Sequence, residues 1–523
     1  MTEILEADVV VVGAGVHGSS AALHLARAGR ITILLDQFPL PHSRGSSHGQ
    51  SRIIRQANYG IPALTTIMTD AVTHWRRIQD QAGETLIRPS SMLLLAEGHQ
   101  RALMERVANS VKQGGHQPLW LTPQHVNHKY GVKTSPDSLA LLDPSAGVLM
   151  ADKCVAALQR LFREAGGRIV DTWPVDDVQV AADETVRVTG RRGVVKAEAA
   201  VLCPGPWAGP LLAKLGVHIP LRVEKISVFY WRIKDPANNT TTTTIFVDLK
   251  PSGHFYGLPE LEYPGLMKLV LHTGPEVQPD QRDQVNSEKV KEAVKKYVKE
   301  KFPFLHPEPA LEESCMYTWT PDEEFVVDRH PKHKNIVFCC GFSGTGFKIA
   351  PTIGENLCRL VLGHPTLHDL SAFSASRFSP RTTYIATAAP PPSPTQQLPP
   401  HPNNTATATP PHPTPPTQQL PPHPTNTATA IPSHPTNTAT ATPPHPTPPT
   451  QQLPPYPTNT ATATPPHPTP PTQQLPPHPT NTATATQGNR CQTLLTGYHH
   501  PHRLVLHHSH PSYKLKHFQS YFS

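Results

Sequence analysis

Residues 7–36 read ADVVVVGAGVHGSSAALHLARAGRITILLD. The run Ala7–Val12 is short and mostly β-branched, the pattern of a strand buried in a parallel sheet. It ends at Gly13. From Gly18 to Arg30 the residues are rich in Ala and Leu, which predicts a helix, with Gly29 where a C-cap is expected. Ile31–Leu35 is a second apolar run, closed by Asp36. The stretch therefore reads β-α-β. Between its first strand and its helix stands Gly13-Ala14-Gly15-Val16-His17-Gly18, the spacing of a dinucleotide fingerprint. Gly13 permits the tight turn, Gly15 lets backbone approach a pyrophosphate, and Gly18 lets helix and strand pack closely. The helix N-terminus offers N–H groups to phosphate. Asp36 ends the second strand, where a carboxylate can accept bonds from a ribose.

The rest of the chain is uneven in composition. It has 523 residues and 62 prolines, yet no Lys, Arg, Asp or Glu occurs from Thr382 to Asn489. From His401 to His478 a histidine, replaced once by Tyr456, recurs every eleven residues in a Pro-rich setting. A unit so short and so poor in apolar residues cannot offset its ordering entropy by burial. Residues 379–523 are thus expected to form a disordered, low-complexity repeat tail of polyproline II and coil. Such a tail could bind polyproline-recognising domains. The foldable part, roughly residues 1–380, suits two domains.

Of the net charge of +7, Arg490, Arg503, Lys514 and Lys516 in the tail supply four. The body is only slightly basic, which argues against a nucleic-acid footprint. No apolar run approaches the ~18 residues of a transmembrane helix. Met1–Ala7 lacks the basic region of a signal peptide. The 7 cysteines show no metal-ligand spacing. Together these features predict an intracellular, reduced protein without metal, so the sequon-like Asn239-Thr240-Thr241 is not expected to be glycosylated.

Further along, strands are predicted at Leu93–Leu95, Leu139–Leu142, Arg168–Val170, Ala199–Cys203 and Ile226–Trp231. A hairpin is expected over Val186–Val195, turning near Gly190. Lys153–Glu164 reads as a helix. Asn286–Phe302 is the clearest helix, with Val290, Val294, Tyr297 and Val298 on one face and Pro303 as its stop. Ile336–Cys340 is a strand feeding the glycine loop Gly341–Gly346, and a helix follows to about Leu362.

Four segments carry a resemblance beyond the fingerprint. The first is the loop from Pro41 to Arg55, with Ser46, Ser47, His48, Arg52 and Arg55. The second is Tyr263-Pro264-Gly265-Leu266-Met267-Lys268, followed by His272. The third is Glu313-Ser314-Cys315-Met316-Tyr317-Thr318, then Thr320-Pro321-Asp322-Glu323. The fourth is Gly341-Phe342-Ser343-Gly344-Thr345-Gly346-Phe347-Lys348. Together they closely resemble the monomeric sarcosine oxidase family, in particular its peroxisomal sarcosine and L-pipecolate oxidases. The resemblance runs from about residue 6 to 378.

It implies FAD, bonded covalently through Cys315, with Arg52 close by and associated with forming that bond. It places Lys268 above the flavin ring where oxygen is reduced, and His272 near the substrate. Arg55 and Lys348 would hold the substrate carboxylate, and Tyr317 and Tyr256 would line the active site. Gly13, Gly15, Gly18, Asp36, Ser46, Ser47, His48, Gly344 and Gly346 would contact the cofactor. A carboxylate taken out of water needs paired, charge-assisted partners, which Arg55 and Lys348 could supply. Cations near the ring would stabilise negative charge on the reduced flavin. The sequence departs from the family at Thr345, where members commonly carry histidine.

The implied fold is α/β: a discontinuous Rossmann-type FAD-binding domain (1–90, 150–220, 325–378) with a D-amino-acid-oxidase-like, mixed-sheet α+β substrate domain (91–149, 221–324). The implied reaction is oxidation of a secondary amino acid such as sarcosine or L-pipecolate to an imine, with oxygen reduced to hydrogen peroxide, by a monomer. An N-methyl- or glycated-amino-acid oxidase stays open as an alternative. So does an inactive scaffold whose tail recruits partners. The family suggests the peroxisome, but Ser520-Tyr521-Phe522-Ser523 is not an SKL-like ending, which leaves the cytoplasm open.

Overall fold

The strand Glu3–Val12 is hydrogen-bonded in parallel to Thr32–Leu35 on one side and to Gly193–Leu202 on the other. Val9–Val12 thus face packed layers above and below, which is why the run is continuously apolar and does not alternate. The computed structural model describes residues 3–235, 243–250 and 253–378. Asn239 and the repeat tail lie outside the described residues. The helix after the first strand is Val16–Arg27, beginning two residues earlier than predicted. Gly15 is its extended N-cap, and Ser19 N–H donates to the Gly15 carbonyl at 2.9 Å. This brings the fingerprint's last glycine inside the helix.

Thr32–Leu35 continues in parallel to Arg168–Val170. Gly193–Leu202 serves two neighbours. Its first half pairs antiparallel with Val186–Gly190, so the hairpin near Gly190 is present, and its last residues pair in parallel with Ile336–Cys340. The predicted strands over Val186–Val195 and Ala199–Cys203 therefore share this one long strand. Val175–Val180 and Val326–Arg329 complete an eight-stranded mixed sheet among the described residues.

A second eight-stranded sheet among the described residues runs in the order 305–319, 222–233, 266–271, 255–258, 245–248, 92–96, 139–143, 119–121. All its neighbours are antiparallel except Ile245–Asp248 with Met92–Ala96. The helix Glu288–Lys301 covers one face: Val294, Tyr297 and Val298 pack against Phe229, Trp231, Met267 and Leu269. A small antiparallel sheet of Ser51–Ile54, Gly147–Met150 and Ile87–Pro89 holds the end of the arginine-bearing loop.

The helix Ala63–Ala82 goes beyond the sequence reading. Its buried positions Leu64, Ile67, Met68, Ala71, Trp75 and Ile78 recur at helical spacing. Interspersed Thr65, Thr66, Thr69 and Thr73 dilute helix propensity and mask the pattern. Trp75 is fully buried, and its indole N–H donates to the Lys348 carbonyl at 3.0 Å. Trp75→Phe is expected to cost about 0.5–1.5 kcal/mol by removing that hydrogen bond, measurable by urea unfolding.

Candidate active site

The glycine fingerprint is close-packed. A Cβ on Gly13, where φ is +100°, would stand 2.3 Å from the Cys203 carbonyl oxygen, and one on Gly18 would stand 1.8 Å from the Gly13 oxygen. Strand, turn and helix can be this close only with glycine at both positions. The Asp36 carboxylate accepts from Ala14 N–H at 2.8 Å and Phe38 N–H at 3.0 Å. His42 Nε2 lies 3.2 Å away. Asp36 thereby ties the second strand to the glycine turn. Ser47 Oγ accepts from Val16 N–H at 3.0 Å, joining the arginine-bearing loop to the helix N-terminus. A cavity of about 1060 Å³ extends from these residues to Met316, Tyr317 and Phe347.

His17, given no catalytic role in the sequence reading, stacks on Phe342 with centroids 3.8 Å apart. It therefore links the first glycine loop to the last. Burial pulls its pKa down to about 3, so the ring is neutral.

The other wall comes from strand periodicity. Residues i, i+2 and i+4 share one face of a strand. Lys268, Val270 and His272 follow this spacing, as do Glu313, Cys315 and Tyr317. The register pairs Lys268 with Tyr230, Val270 with Tyr256 and Val228, and Cys315 with Ile226. Directly paired residues point to the same side. The sheet therefore presents Tyr230, Tyr256, Lys268, His272, Cys315 and Tyr317 on the face opposite its helix-covered core.

These side chains meet the arginine-bearing loop. Arg52 donates to the carbonyls of Ser46 (3.0 Å) and His48 (2.6 Å), and its Nη2 stands 3.8 Å from Cys315 Sγ. Burial opposes the charge of Arg52, but the neighbouring Cys315 and tyrosines outweigh burial and raise its pKa. His48 lies between the Gly45 carbonyl at 2.5 Å and the Ser314 carbonyl at 2.9 Å. Burial, with Arg52 beside it, takes His48 down to about 4, so the neutral ring donates to one carbonyl at a time. The Tyr256 and Tyr317 hydroxyls are 2.9 Å apart. His272 packs edge-on against Tyr317, 5.0 Å between centroids. Burial, then the charges of His254, Lys348 and Arg55, hold His272 at about 3 and neutral.

Gly344 and Gly346 bring the last glycine loop onto this wall. At Gly344, where φ is +80°, a Cβ would stand 2.5 Å from His272 Cε1. Gly344→Ala is expected to cost about 1–2 kcal/mol in backbone strain and to displace the imidazole. Thermal unfolding and anaerobic substrate titration would measure the two effects. Gly346 packs against Phe342 and His17. Lys348, on the helix Gly346–Val361, is buried and donates to the Thr345 carbonyl at 3.2 Å. Burial, then the charge of Arg55, drives its pKa well down. Arg55 is buried with its guanidinium 3.9 Å over the Tyr59 ring, and its Nη1 has no hydrogen-bond partner among the described residues.

Sequence reasoning missed Glu262. It forms a buried ion pair with Lys268 at 2.9 Å and accepts from Ser51 Oγ and Tyr230 OH. Burial raises a carboxyl, but Lys268 and these hydrogen bonds outweigh it and hold Glu262 low. Burial lowers Lys268, against the pull of Glu262. The available signal was an acid six residues before Lys268, immediately preceding the Tyr263–Lys268 motif. It was unreadable because Ser51 and Tyr230 are remote in sequence.

A glycine-built cradle at the end of parallel strands in a mixed sheet, together with a wall of tyrosines and buried basic side chains, defines a dinucleotide-dependent oxidoreductase. The model of the DAO family, FAD dependent oxidoreductases, matches residues 8–360. Peroxisomal sarcosine oxidase of Mus musculus is 39% identical over 381 residues, 71% of this chain and 96% of its own length. Monomeric sarcosine oxidase of Arthrobacter sp. (strain TE1826) is 30% identical over 378 residues, with the same shares of 71% and 96%. NikD, an unusual amino acid oxidase essential for nikkomycin biosynthesis, has the same fold at TM-score 0.64 and 20% identity, over 71% of this chain and 97% of that one. The chain belongs to the DAO family of FAD-dependent oxidoreductases, alongside the sarcosine oxidases. Its residues fit FAD: the cavity is long enough to run from the glycine turn to the tyrosine wall, and Cβ atoms are absent where phosphates must approach.

Proposed function

We propose that the protein is an FAD-dependent oxidase of secondary amino acids, of the sarcosine and L-pipecolate type. The observation that carries the reading is a buried guanidinium, Arg55, and a buried amine, Lys348, whose charged form burial and Arg55 disfavour, with no acidic partner among the described residues and beside His272. Such groups are costly unless an anion completes them, and a substrate carboxylate does so. Bound FAD would supply the oxidation, taking two electrons from the carbon–nitrogen unit to leave an imine and passing them to oxygen to give hydrogen peroxide.

The chain's residues would do the rest. Arg55 and Lys348 would fix the carboxylate. The neutral His272 would sit beside the amine without repelling it, and the Tyr256–Tyr317 pair would exclude water. Lys268, its charge held by Glu262, would stand where oxygen acquires negative charge. Arg52 would steady the Cys315 sulfur for a covalent bond to the flavin. Gly13, Gly15, Gly18, Asp36, Ser46, Ser47, His48, Gly344 and Gly346 would form the cofactor cradle. We assign residues 1–90, 150–220 and 325–378 to the FAD-binding domain and 91–149 and 221–324 to the substrate domain. Kinship supports a monomer working in the peroxisome.

A substrate panel followed by peroxide tests the reading. Sarcosine, L-pipecolate and other N-methyl amino acids should give peroxide, while their amides, lacking the carboxylate, should not. Equal turnover of acid and amide would remove Arg55 and Lys348 from substrate binding.

A further inference from the structure

Five polar side chains form an unbroken hydrogen-bonded row leading away from Lys268. Lys268 Nζ donates to Glu262 Oε1 at 2.9 Å. The other Glu262 oxygen accepts from the Tyr230 hydroxyl. Tyr230 also lies 3.0 Å from Glu313 Oε2, and Glu313 Oε1 accepts from Tyr263 OH at 2.6 Å. The Lys268 end is buried, with the Glu262 side chain 4% exposed. Tyr263 and Glu313 are only partly buried, and Glu313 also lines the large cavity.

Proton counting is informative here. A phenol has one proton to donate. Tyr230 faces two carboxyl groups at once, and with both ionised one of its contacts would be oxygen against oxygen with no proton between. Glu262 already accepts from Lys268, Ser51 and Tyr230. A proton on Glu313 Oε2, donated to the phenol oxygen, would fill the Tyr230–Glu313 contact, across which the Tyr230 hydroxyl otherwise shares its one proton at 3.0 Å. An unfilled contact of this kind in a low-dielectric site would be costly.

We propose that Glu262, Tyr230, Glu313 and Tyr263 form a proton relay that stores one proton and delivers it through Lys268 to oxygen. The proposal rests on the reading that Lys268 faces oxygen. The balance is FADH⁻ + O2 + H⁺ → FAD + H2O2. The reduced cofactor brings both electrons and one proton; the second proton must come from elsewhere. A Lys268 N–H bond breaks as an O–H bond of the peroxide forms. The Tyr230 proton then passes to Glu262 and on to Lys268, and the Glu313 proton passes to Tyr230. Glu313 reloads from solvent at the partly exposed end. Each of the four is a positioning residue acting through Lys268.

The test uses the holoenzyme and three variants. Tyr230→Phe keeps the ring, which packs edge-on to Tyr263 at 4.8 Å, and removes the link. Glu313→Gln removes the stored proton, and Tyr263→Phe interrupts the outer end if Glu313→Gln does not fold. Infrared difference spectra of parent minus Glu313→Gln should show the carbonyl stretch of a protonated carboxylic acid, shifted in deuterium oxide. In stopped flow, Tyr230→Phe should slow reoxidation on the order of 10²-fold and leave anaerobic reduction unchanged. Absence of the infrared band overturns the stored proton. Fast reoxidation in Tyr230→Phe, with Lys268→Met slow, overturns the relay alone. Fast reoxidation in Lys268→Met overturns the reading of Lys268 and removes the relay's destination with it.

Discussion

Lys268→Met should slow the reaction of the reduced enzyme with oxygen by about 10²- to 10³-fold, the scale for removing one preorganised charge partner, while anaerobic reduction by substrate changes little. Oxygen acquires negative charge as it takes electrons, and a fixed cation in a dry site stabilises that charge without reorganising. Lys268 is such a cation: buried, and held by Glu262 at 2.9 Å and Ser51 at 3.0 Å. The substrate side, with Arg55, Lys348 and His272, keeps its groups in this variant. Methionine has a complication of its own, because it leaves Glu262 buried without its charge partner, at about 3–5 kcal/mol for a broken buried pair. Lys268→Met combined with Glu262→Gln relieves that cost. If the double variant recovers stability but stays slow with oxygen, the buried unpaired carboxylate is excluded as the cause of the slow reoxidation. Comparable reoxidation in parent and Lys268→Met would end that assignment.

Cys315→Ala should convert a flavin retained in the acid-precipitated pellet into one released wholly to the supernatant. The parent is expected to give a yellow pellet. Cys315 is buried two residues before Tyr317, which lines the cavity, and Arg52 Nη2 is 3.8 Å from its sulfur. A guanidinium at that distance can donate to the sulfur and hold it in place. Alanine keeps the small apolar volume and removes only the sulfur, so the fold should persist and the alanine variant should still take up free FAD. Parent and variant releasing flavin alike would show that the cofactor is held without a bond at this residue.

The parts legible in the sequence were those whose physics is local. Ala7–Asp36 could be read because turn, helix start and buried strand are each specified by adjacent residues. The segments that build the candidate wall were legible as motifs, and the period-two spacing of Lys268 and His272, and of Cys315 and Tyr317, agrees with the strands found. Glu262 and Glu313 were not legible as a pair, since Glu262 lies in a loop, Glu313 on the strand 305–319, and the residue joining them, Tyr230, on the neighbouring strand 222–233. Asp36 shows a different limit. Its position at the strand end was clear, but its bonds to Ala14 and Phe38 depend on the chain's return after the strand. The helix Ala63–Ala82 had a legible stripe that its threonines concealed.

The strand Leu266–Leu271 and its neighbours divide their labour by alternate positions. Lys268 and Val270 lie on the face that carries Tyr230, Tyr256 and Cys315, while Met267 and Leu269 pack under the helix Glu288–Lys301. Changes of substrate taste can therefore accumulate on one set of positions without disturbing the residues that keep the sheet and helix together. A lineage, or an engineer, can rewrite the pocket at every second residue and leave the scaffold's own vocabulary intact.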